Sequence, residues 1–527
     1  MNRVNVLDCT LRDGGYCNEW DFGYDNIKKI IAGLCESGVE VVECGFLTDR
    51  KGSYDPAATL FTDPAQLRPL LPETGAKQMF VCMLNYGDFD ISRLPCCADT
   101  PLDGIRVAFH KADMLPALEL CGKIKDKGYK VFVQAMVSLN YSDNEFLELI
   151  RLVNGLSPYC FYIVDSFGVM KKKELLRLFF LVENNLNRDI GIGFHSHNNM
   201  QLAYSNAQLL ADMQTSRELI IDSCVFGMGR GAGNLNTELF LEYINDNIGE
   251  RYSVKPLLTI IDDILNAFYQ RNYWGYSLPN YLSAKHNIHP NYASYLDSKK
   301  TLPVEAMDDI FSSMSAEKRS SFDPAYIEKL YTRYMENGSA QEQRLNELAE
   351  AIKGRTVLII APGLSSVTEK EKIVPLIKRG DIFSVSINHE YGEAAADRIF
   401  VSNIKRFREL DPSLHSKCII TSNISATDIY IKTAYGELLN DIDGVHDNAG
   451  MMLIRFLIKL GASKLLICGM DGYSADPMQN YSSEDLNFYT RRAVMEQMNV
   501  GLGKMLGRFR REIEIEFVTE PKYISLS

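Results

Sequence analysis

The chain has 527 residues, of which 46% are hydrophobic and 24% charged, and its formal net charge is −12. This length exceeds one ordinary hydrophobic core, so we expect a globular protein of two or three domains. The acidic balance argues against a nucleic-acid partner, because phosphate binding needs a basic face. The sequence shows no apolar run near the roughly 20 residues of a membrane span, and its start does not resemble a signal peptide. Twelve cysteines without a C-x-x-C pair are typical of reduced thiols. We therefore expect a cytoplasmic protein that acts on small molecules.

The first 250 residues alternate short β-rich runs with stretches that can form crossover helices. The runs are apolar and rich in β-branched residues with little alternation, which is typical of strands covered on both faces. They lie at 4–10, 39–47, 77–84, 104–110, 130–137, 160–166, 190–196 and 219–227. Eight such units predict a (β/α)₈ TIM barrel over residues 1–250, in which chemistry sits on the loops after the strands.

An aromatic segment and charged helical sequence follow, and we expect them to form a helical extension over residues 251–337. The polar stretch 336–343 is the best linker candidate, because its residues neither pack nor propagate structure. A second α/β pattern begins after it and predicts a Rossmann-like domain over residues 338–527. Its strands are predicted at 356–366, 381–387, 398–403, 417–423 and 464–474, with an apolar helix at 449–461.

Two histidines stand one residue apart at the end of the seventh predicted strand, in "GFHSHNN". Alternate residues of a strand share a face, so His195 and His197 can reach one point. Closure of the barrel makes the loops after strands 7, 8 and 1 neighbours, and these loops add Asn234 and Asp13. One carboxylate, two imidazoles and an amide oxygen suit a divalent ion such as Mn²⁺ or Mg²⁺ that keeps positions open for substrate.

The barrel sequence resembles the DRE-TIM metallolyase superfamily, which includes 4-hydroxy-2-oxovalerate aldolases, hydroxymethylglutaryl-CoA lyases and isopropylmalate synthases. The resemblance covers residues 3–250 and rests on "LDCTLRDGG", "VVECGF", "VDSFG", "GFHSHNN" and "GMGRGAGN". It implies that Asp13, His195 and His197 bind the metal and that Asn234 completes the sphere. It also implies that Arg12 stabilises an enolate. A metal-dependent aldolase that makes or cleaves a 4-hydroxy-2-oxo acid through a pyruvate enolate would follow.

Several positions near the predicted metal site are open to more than one interpretation. Glu43 ends the second strand and either holds Arg12 or a water on the metal, or is structural. The aldolase branch usually carries a histidine where this chain has Tyr16, and tyrosine is the poorer base at neutral pH. The segment "WGYSLPNYLSAKH" resembles the helical region after the aldolase barrel, where Tyr276 best matches a tyrosine that positions substrate. His286 and His289 are further candidates for the base.

Two other chemistries occur on the same kind of barrel. Biotin-dependent carboxyltransferases need a lysine on the fifth strand, whereas Lys130 stands only at the entry of that strand. A Claisen-type acyl transferase or lyase stays an alternative, although the chain shows no basic patch for the phosphates of coenzyme A.

The second half contains a strand, a glycine turn and a helix start in "IIAPGLSSVTEKEKI". This order places backbone N–H groups and the hydroxyls of Ser365 and Ser366 at a helix N-terminus, which can bind phosphate. With later motifs, residues 355–475 resemble the Rossmann-like domain of bacterial sialyltransferase-type glycosyltransferases and of archaeal pterin-pyrophosphokinase-like proteins. That resemblance implies a nucleotide-sugar or sugar-phosphate site lined by Gly363, Ser365, Asn388, Asn403 and Asp471.

Taken together, the sequence predicts a two-part homo-oligomeric enzyme. The barrel would join an aldehyde to pyruvate or another 2-oxo acid, or cleave the product of that reaction. The second domain would bind a sugar nucleotide. A role in surface-polysaccharide biosynthesis would unite the two activities. One alternative is a glycosyl- or phosphotransferase to which the barrel is accessory. Another is a barrel that serves only as a scaffold, which the tyrosine at position 16 favours and the intact metal-ligand set opposes.

Overall fold

The structure is a computed structural model of the chain, and it describes residues 3–50, 53–72, 77–299, 302–335, 342–426, 428–474, 476, 479–482, 492–521 and 523. The chain divides into two compact units. Unit 1 comprises residues 1–295 and 311–322, and unit 2 comprises residues 296–310 and 323–527. The predicted boundaries near 250 and 337 stay a prediction. Within the described residues, no helix combines the length and apolar character that crossing a membrane requires.

Unit 1 contains a closed parallel barrel. Its strands are β1 (Arg3–Asp8), β2 (Val41–Leu47), β3 (Leu60–Phe61), β4 (Met79–Asn85), β5 (Gly104–Phe109), β6 (Lys130–Ala135), β7 (Cys160–Asp165), β8 (Gly191–Ser196) and β9 (Glu218–Ser223). In the described part of the chain, eight of them form the ring in the order β1-β9-β8-β7-β6-β5-β4-β2, and the pairing of β1 with β2 closes it. The two-residue strand β3 adds to the outside edge of β2. The TIM-barrel prediction is confirmed.

Helices separate most of these strands and cover the barrel. In and after the barrel they are α1 (Thr10–Asp13), α2 (Tyr24–Ser37), α3 (Met114–Asp126), α4 (Asp143–Leu156), α5 (Lys172–Asn185), α6 (Ala203–Ala211), α7 (Thr237–Asn247), α8 (Lys255–Ile260), α9 (Asn266–Arg271), α10 (Leu278–Lys285), α11 (Pro290–Lys299), α12 (Val304–Ser312) and α13 (Pro324–Met335). The apolar faces of α2 to α8 pack on the outward side chains of the strands in one large buried cluster. That burial on both sides explains why the strands read as almost continuous apolar runs.

The inside of the barrel combines a small apolar cluster with buried charges. Leu7, Val81, Phe132 and Tyr162 belong to the apolar cluster. Gly193 on β8 makes room for the ring of Tyr162, because a Cβ at that position would lie 2.2 Å from the ring. A side chain there would displace the tyrosine, so glycine at this strand position is a packing requirement.

Unit 2 contains a second, open parallel sheet. Its strands are β10 (Thr356–Ile360), β11 (Ile382–Ile387), β12 (Arg398–Val401), β13 (Cys418–Thr421), β14 (Ile431–Thr433), β15 (Lys464–Cys468) and β16 (Glu514–Phe517). They lie in the order β14-β13-β12-β11-β10-β15-β16. The helices are α14 (Glu342–Ile352), α15 (Ser365–Thr368), α16 (Lys370–Ile377), α17 (Ile404–Glu409), α18 (Ala449–Lys459) and α19 (Arg492–Phe509).

The direction of strand addition reverses between β10 and β15. From β10 the chain builds outwards through β11 to β14, and β15 then returns to the other side of β10. Such a reversal opens a crevice at the carboxyl ends of the strands, where ligands of open α/β sheets bind. The five predicted strands of this half are confirmed, whereas the sequence reading missed the short strands β14 and β16. Residues 336–341 of the proposed linker lie outside the described residues.

Candidate active site

The predicted metal ligands converge at the carboxyl ends of three neighbouring barrel strands. Asp13 follows β1 in the short helix α1, and the two histidines end β8 and begin the next loop. His195 Nε2 lies 3.2 Å and His197 Nε2 lies 3.7 Å from Asp13 Oδ2. Asn234, in the loop after β9, forms an isolated β-bridge with His197. All four side chains are buried.

The donor atoms of this cluster fit a divalent cation. Apart from the contacts of Asp13 Oδ2 with Arg12 and the two histidines, the carboxylate oxygens of Asp13 and the amide oxygen of Asn234 are buried without a hydrogen-bond partner. The amide nitrogen of Asn234 donates to the carbonyl of Met228 at 3.1 Å, which leaves its oxygen free to accept. Asp13, His195 and His197 can bring one ligand atom each within 4.8 Å of one another. Leaving buried acceptors unpaired is costly, and a hard cation would satisfy them.

A buried charge network fixes the orientation of His195. Its Nδ1 lies 3.0 Å from Asp222 Oδ2, so its Nε2 faces Asp13. Asp222 also accepts from the hydroxyl of Tyr162 at 2.9 Å and forms an ion pair with Arg106. The guanidinium of Arg106 lies over the ring of Tyr162 and contacts Glu43 at 2.8 Å. A carboxylate behind a ligand histidine is the usual device that sets the tautomer and ring orientation.

Arg12 stands between the two predicted acidic residues. Its Nε donates to Glu43 Oε2 at 2.8 Å, and its Nη1 lies 3.1 Å from Asp13 Oδ2. The guanidinium also lies 5.9 Å from the centre of the Phe46 ring. Glu43 therefore binds Arg12 and Arg106 at once, which makes it a positioning residue for two arginines. Its role in the reaction stays a prediction.

Burial and charge act against each other on the pKa values of the cluster. Burial would raise the pKa of Asp13, but Arg12 and His197 hold it well below its usual value. Burial would lower the pKa of His195, but the carboxylates of Asp13 and Asp222 raise it well above the usual value. Burial lowers the pKa of His197 to about 3, despite the opposing charge of Asp13. The neutral form of His197 is the form that binds metals.

A second trio near His195 could also hold a metal by its composition. It consists of Cys9, His195 and Asp222. Cys9, however, is hydrogen-bonded to the carbonyl of Ser223 at 3.3 Å, and Asp222 is engaged by Tyr162 and Arg106. The Asp13 trio lies next to Asn234, whose amide oxygen is buried without a hydrogen-bond partner, so it is the better candidate for a metal site.

Tyr16 lies at the edge of the site. Its side chain is 42% exposed, its ring contacts Trp20 edge-on at 4.8 Å, and the guanidinium of Arg230 lies 5.3 Å above it. Arg230 Nη1 lies 3.2 Å from His289 Nε2. Tyr276 is 49% exposed, and within the described residues no hydrogen bond or ion pair joins it to the metal-ligand candidates.

A cavity of about 370 Å³ opens in unit 2 at the carboxyl ends of β10, β11, β12 and β15. Of the residues predicted for a nucleotide site, Gly363, Asn388, Asn403 and Asp471 line it. Asn388 has a left-handed backbone, with φ 59°. The side chain of Asn403 caps α17 by accepting from the backbone N–H groups of residues 405 and 406.

The phosphate site predicted at the start of α15 is occupied by a side chain of the protein itself. Asp471 Oδ2 accepts the backbone N–H of Ser365 at 2.8 Å, and Asp471 Oδ1 accepts its hydroxyl. The hydroxyl of Ser366 donates to the carbonyl of Gly363 at 2.7 Å. A carboxylate thus sits where a phosphate would need to lie, so a ligand of this cavity would have to use other groups.

The sequence reading missed three residues that build the barrel site. Arg106 and Asp222 are charged residues inside strands that otherwise read as apolar, and both are buried. A buried charge needs a partner, so an arginine and an aspartate in core strands were a readable signal of a pair. Arg230 carried no such signal, because an arginine in a glycine-rich loop is usually exposed to solvent.

Comparison with known proteins agrees with this geometry. Residues 108–255 match the HMGL-like family. A 4-hydroxy-2-oxovalerate aldolase from Thermomicrobium roseum is 29% identical over 245 residues, which are 46% of this chain and 67% of the relative. The enzyme of that description from Geobacillus genomosp. 3 is 26% identical over 242 residues, 46% of this chain and 70% of the relative.

A crystal structure of the N-terminal domain of a candidate aldolase from Bacteroides vulgatus is 27% identical to this chain. It covers 56% of this chain and 96% of its own length, with a TM-score of 0.47. The family match and the aldolase relatives show that the chain contains an HMGL-like domain. They indicate an enzyme of the metal-dependent carbon–carbon lyase class.

Proposed function

We propose that the barrel is a divalent-metal-dependent aldolase that forms or cleaves a 4-hydroxy-2-oxo acid through a pyruvate enolate. One observation carries the proposal: Asp13, His195 and His197 can each offer a ligand atom within 4.8 Å of the others, next to the unpaired amide oxygen of Asn234 and to Arg12. The relatives named as 4-hydroxy-2-oxovalerate aldolases support the same reaction class. Mn²⁺ or Mg²⁺ is the ion we propose, because the donors are oxygen and nitrogen without thiolate.

The residues of the chain supply binding and charge for this reaction. A divalent ion in the site would act as a Lewis acid on the 2-oxo group of pyruvate. Arg12 keeps a fixed positive charge next to Asp13, where negative charge would develop on the pyruvate oxygen. Glu43 holds that guanidinium at 2.8 Å, so the charge is positioned before substrate arrives.

The overall step balances without a further reactant. The methyl group of pyruvate loses a proton, its carbon bonds to the carbonyl carbon of an aldehyde, and the resulting alkoxide takes up a proton. We propose that Tyr16 relays the proton through water, since its exposed side chain lies beside Arg230 at the mouth of the barrel. The role proposed for Tyr276 is to position substrate, as the resemblance implies.

The experiment is ¹H NMR of pyruvate in D₂O with the purified protein and Mn²⁺, quenched by removal of the metal. We expect metal-dependent loss of the methyl signal, which needs no knowledge of the aldehyde. His195→Ala should abolish the exchange, and His415→Ala, in unit 2, should leave it unchanged. Exchange that persists in His195→Ala would disprove the metal mechanism. No exchange by the wild type despite bound metal would instead favour acyl-CoA partners, as in a Claisen-type enzyme.

For unit 2 we propose that the cavity at the strand ends binds a nucleotide sugar or a sugar phosphate. It lies where the strand order reverses, and its volume falls in the range of small-molecule sites. Lys299 and Arg406 among its lining residues supply positive charge, and Tyr473 supplies an aromatic face. The Rossmann-like resemblance of residues 355–475 supports this proposal.

The test is calorimetry of the full chain with CMP, CDP, UMP and UDP. We expect at least one nucleotide to bind, and Arg406→Ala to weaken it by about tenfold, which equals ~1.4 kcal/mol. Arg408→Ala is the matched control, because Arg408 lies on the same helix and pairs with Glu305 outside the cavity. Absence of binding by all four nucleotides would refute a nucleotide site.

A role in surface-polysaccharide biosynthesis, a cytoplasmic location and a homo-oligomeric state complete the proposal. They rest on the sequence and on the pairing of the two proposed activities in one chain. Detection of nucleotide binding without pyruvate exchange would favour a glycosyl- or phosphotransferase to which the barrel is accessory.

A further inference from the structure

Arg230 is presented at the mouth of the barrel by a loop that the neighbouring loop holds in place. The loop follows β9, and the backbone N–H of Ala232 donates to Asn199 Oδ1 at 2.9 Å. Gly231 has a left-handed backbone with φ +66°, and a Cβ there would lie 2.9 Å from that same oxygen. Because Asn199 is itself fully buried, the loop that carries Arg230 has a fixed anchor.

No carboxylate of the described residues pairs with the guanidinium of Arg230. Among the described residues, no ion pair involves Arg230, and its Nε is buried without a hydrogen-bond partner. Its neighbours are the ring of Tyr16 at 5.3 Å and the imidazole of His289 at 3.2 Å. An arginine that is half-buried without a carboxylate is ready to accept an anionic partner.

The imidazole of His289 cannot satisfy both groups that face it. Its Nδ1 lies 3.2 Å from the backbone N–H of Asn291, and its Nε2 lies 3.2 Å from Arg230 Nη1. A neutral imidazole has one acceptor nitrogen and one N–H donor. With Nδ1 accepting from the backbone, the Nε2–H group and the guanidinium point donors at each other. An oxygen with free lone pairs that lies beside both nitrogens, which are 3.2 Å apart, would accept from each of them.

Arg230 also lies close to the metal cluster. The backbone carbonyl of Arg230 accepts from the N–H of Gly233 at 3.1 Å, and the next residue, Asn234, forms the isolated β-bridge with His197. Arg230 therefore belongs to the same short loop as the metal-ligand candidate Asn234, and the rings of Tyr16 and Phe167 lie against Arg230 and His289. A substrate that reaches the metal centre at one end would meet Arg230 with its other end.

We propose that Arg230 and His289 bind an anionic group on the aldehyde substrate, a carboxylate or a phosphate at the end remote from the reacting carbonyl. This inference rests on the proposed aldolase function and names its substrate class. The two donors would hold the far end of the aldehyde while pyruvate occupies the metal end. In the cleavage direction, the same pair would hold the distal anion of the 4-hydroxy-2-oxo acid.

The test compares matched aldehydes that differ in charge. One pair is butanal and succinic semialdehyde, which share a four-carbon chain, and the other is glyceraldehyde and glyceraldehyde 3-phosphate. Condensation with pyruvate is followed for the wild type, Arg230→Met and the control Arg151→Met, which changes an arginine exposed on α4. We expect Arg230→Met to raise the KM of the anionic aldehyde by about 30-fold or more. The KM of the neutral aldehyde should change less than about twofold, and the KM values of Arg151→Met should match those of the wild type. The aldehyde pair whose charged member is preferred more strongly over its neutral member shows whether the site binds a carboxylate or a phosphate.

Two further measurements keep this inference separate from the proposed function. Pyruvate exchange in D₂O by the wild type and by Arg151→Met reports on the proposed aldolase function alone, since the exchange needs no aldehyde. Calorimetry with succinate and with inorganic phosphate reports on the anion site without turnover, and Arg230→Met should bind the preferred anion at least tenfold more weakly. Equal anion binding by wild type and Arg230→Met, or no anion binding by the wild type, would overturn the inference even where exchange is normal. If the wild type binds the anion but catalyses no pyruvate exchange, the result counts against the aldolase function and still supports the anion site.

Discussion

Replacement of Asp222 by asparagine tests how much the buried network contributes to the metal centre. Asp222 holds His195 Nδ1 at 3.0 Å, accepts from the hydroxyl of Tyr162 at 2.9 Å and pairs with Arg106. The Asp222→Asn side chain would keep the shape but present an NH₂ group to donors. Loss of such a partner behind a ligand histidine weakens metal binding by about 10–100-fold, or ~1.4–2.7 kcal/mol.

The same change costs stability, because it leaves a buried guanidinium with one carboxylate fewer. Breaking a buried pair costs about 3–5 kcal/mol. Arg106 keeps its contact with Glu43 at 2.8 Å, so we expect the lower end of that range. Arginine is always charged, so the loss cannot be relieved by deprotonation.

The assay is Mn²⁺ titration of the metal-free protein by calorimetry, together with chemical denaturation of the same samples. Asp212→Asn is the matched control: Asp212 also accepts from a tyrosine hydroxyl, that of Tyr243 at 2.6 Å, but it is exposed. The control should bind Mn²⁺ as the wild type does. Wild-type affinity in a folded Asp222→Asn protein would refute the view that this network orients His195.

Three further outcomes follow from the structure. Gly233→Ala should weaken Mn²⁺ binding and lower the melting temperature. Residue 233 has φ +79°, and a Cβ there would lie 2.0 Å from the carbonyl of Gly227. Unchanged Mn²⁺ titration and melting curves would contradict this prediction. Burial raises the pKa of Asp8 to about 6, so between about pH 6 and 4 the folded state binds a proton that the unfolded state does not. As pH falls through that window, the free energy of unfolding of the wild type should rise relative to that of Asp8→Asn by up to about 1.4 kcal/mol per pH unit. Parallel pH profiles of the two proteins in chemical denaturation would argue otherwise. Tyr331→Phe removes a hydroxyl that donates to Asp447 at 2.9 Å and should destabilise unit 2 by about 1–3 kcal/mol, seen as faster amide hydrogen exchange in unit 2 with pyruvate exchange unchanged.

The barrel could be predicted because its strands are encoded locally. Each strand is buried on both faces, so its residues read as a short apolar run whatever its neighbours are. Closure of eight such strands then made the ends of β1, β8 and β9 adjacent. That adjacency is why the grouping of Asp13 with His195 and His197 could be foreseen without coordinates, although their role as metal ligands stays a prediction.

Short edge strands and side-chain partners were harder to predict. The strands β14 and β16 have three and four residues and lie at the two edges of the second sheet, where pairing on one side is enough to form them. Such runs are too short for a period to stand out from loop sequence. In unit 2, the glycine turn before Ser365 was recognised, but not that Asp471, 106 positions later, would occupy the helix start.

The sequence by itself determined the parallel barrel, the second parallel sheet and the chemical types of side chain at the strand ends, because strand burial and strand polarity follow from local residue patterns. Only the tertiary structure decided which charges meet. Arg106 pairs with Asp222, which lies 116 positions later in the sequence, and Arg230 contacts His289, which lies 59 positions later. Partners this distant are set by the packing of whole elements, and the strength of a buried charge interaction depends on the distance and surroundings that this packing creates.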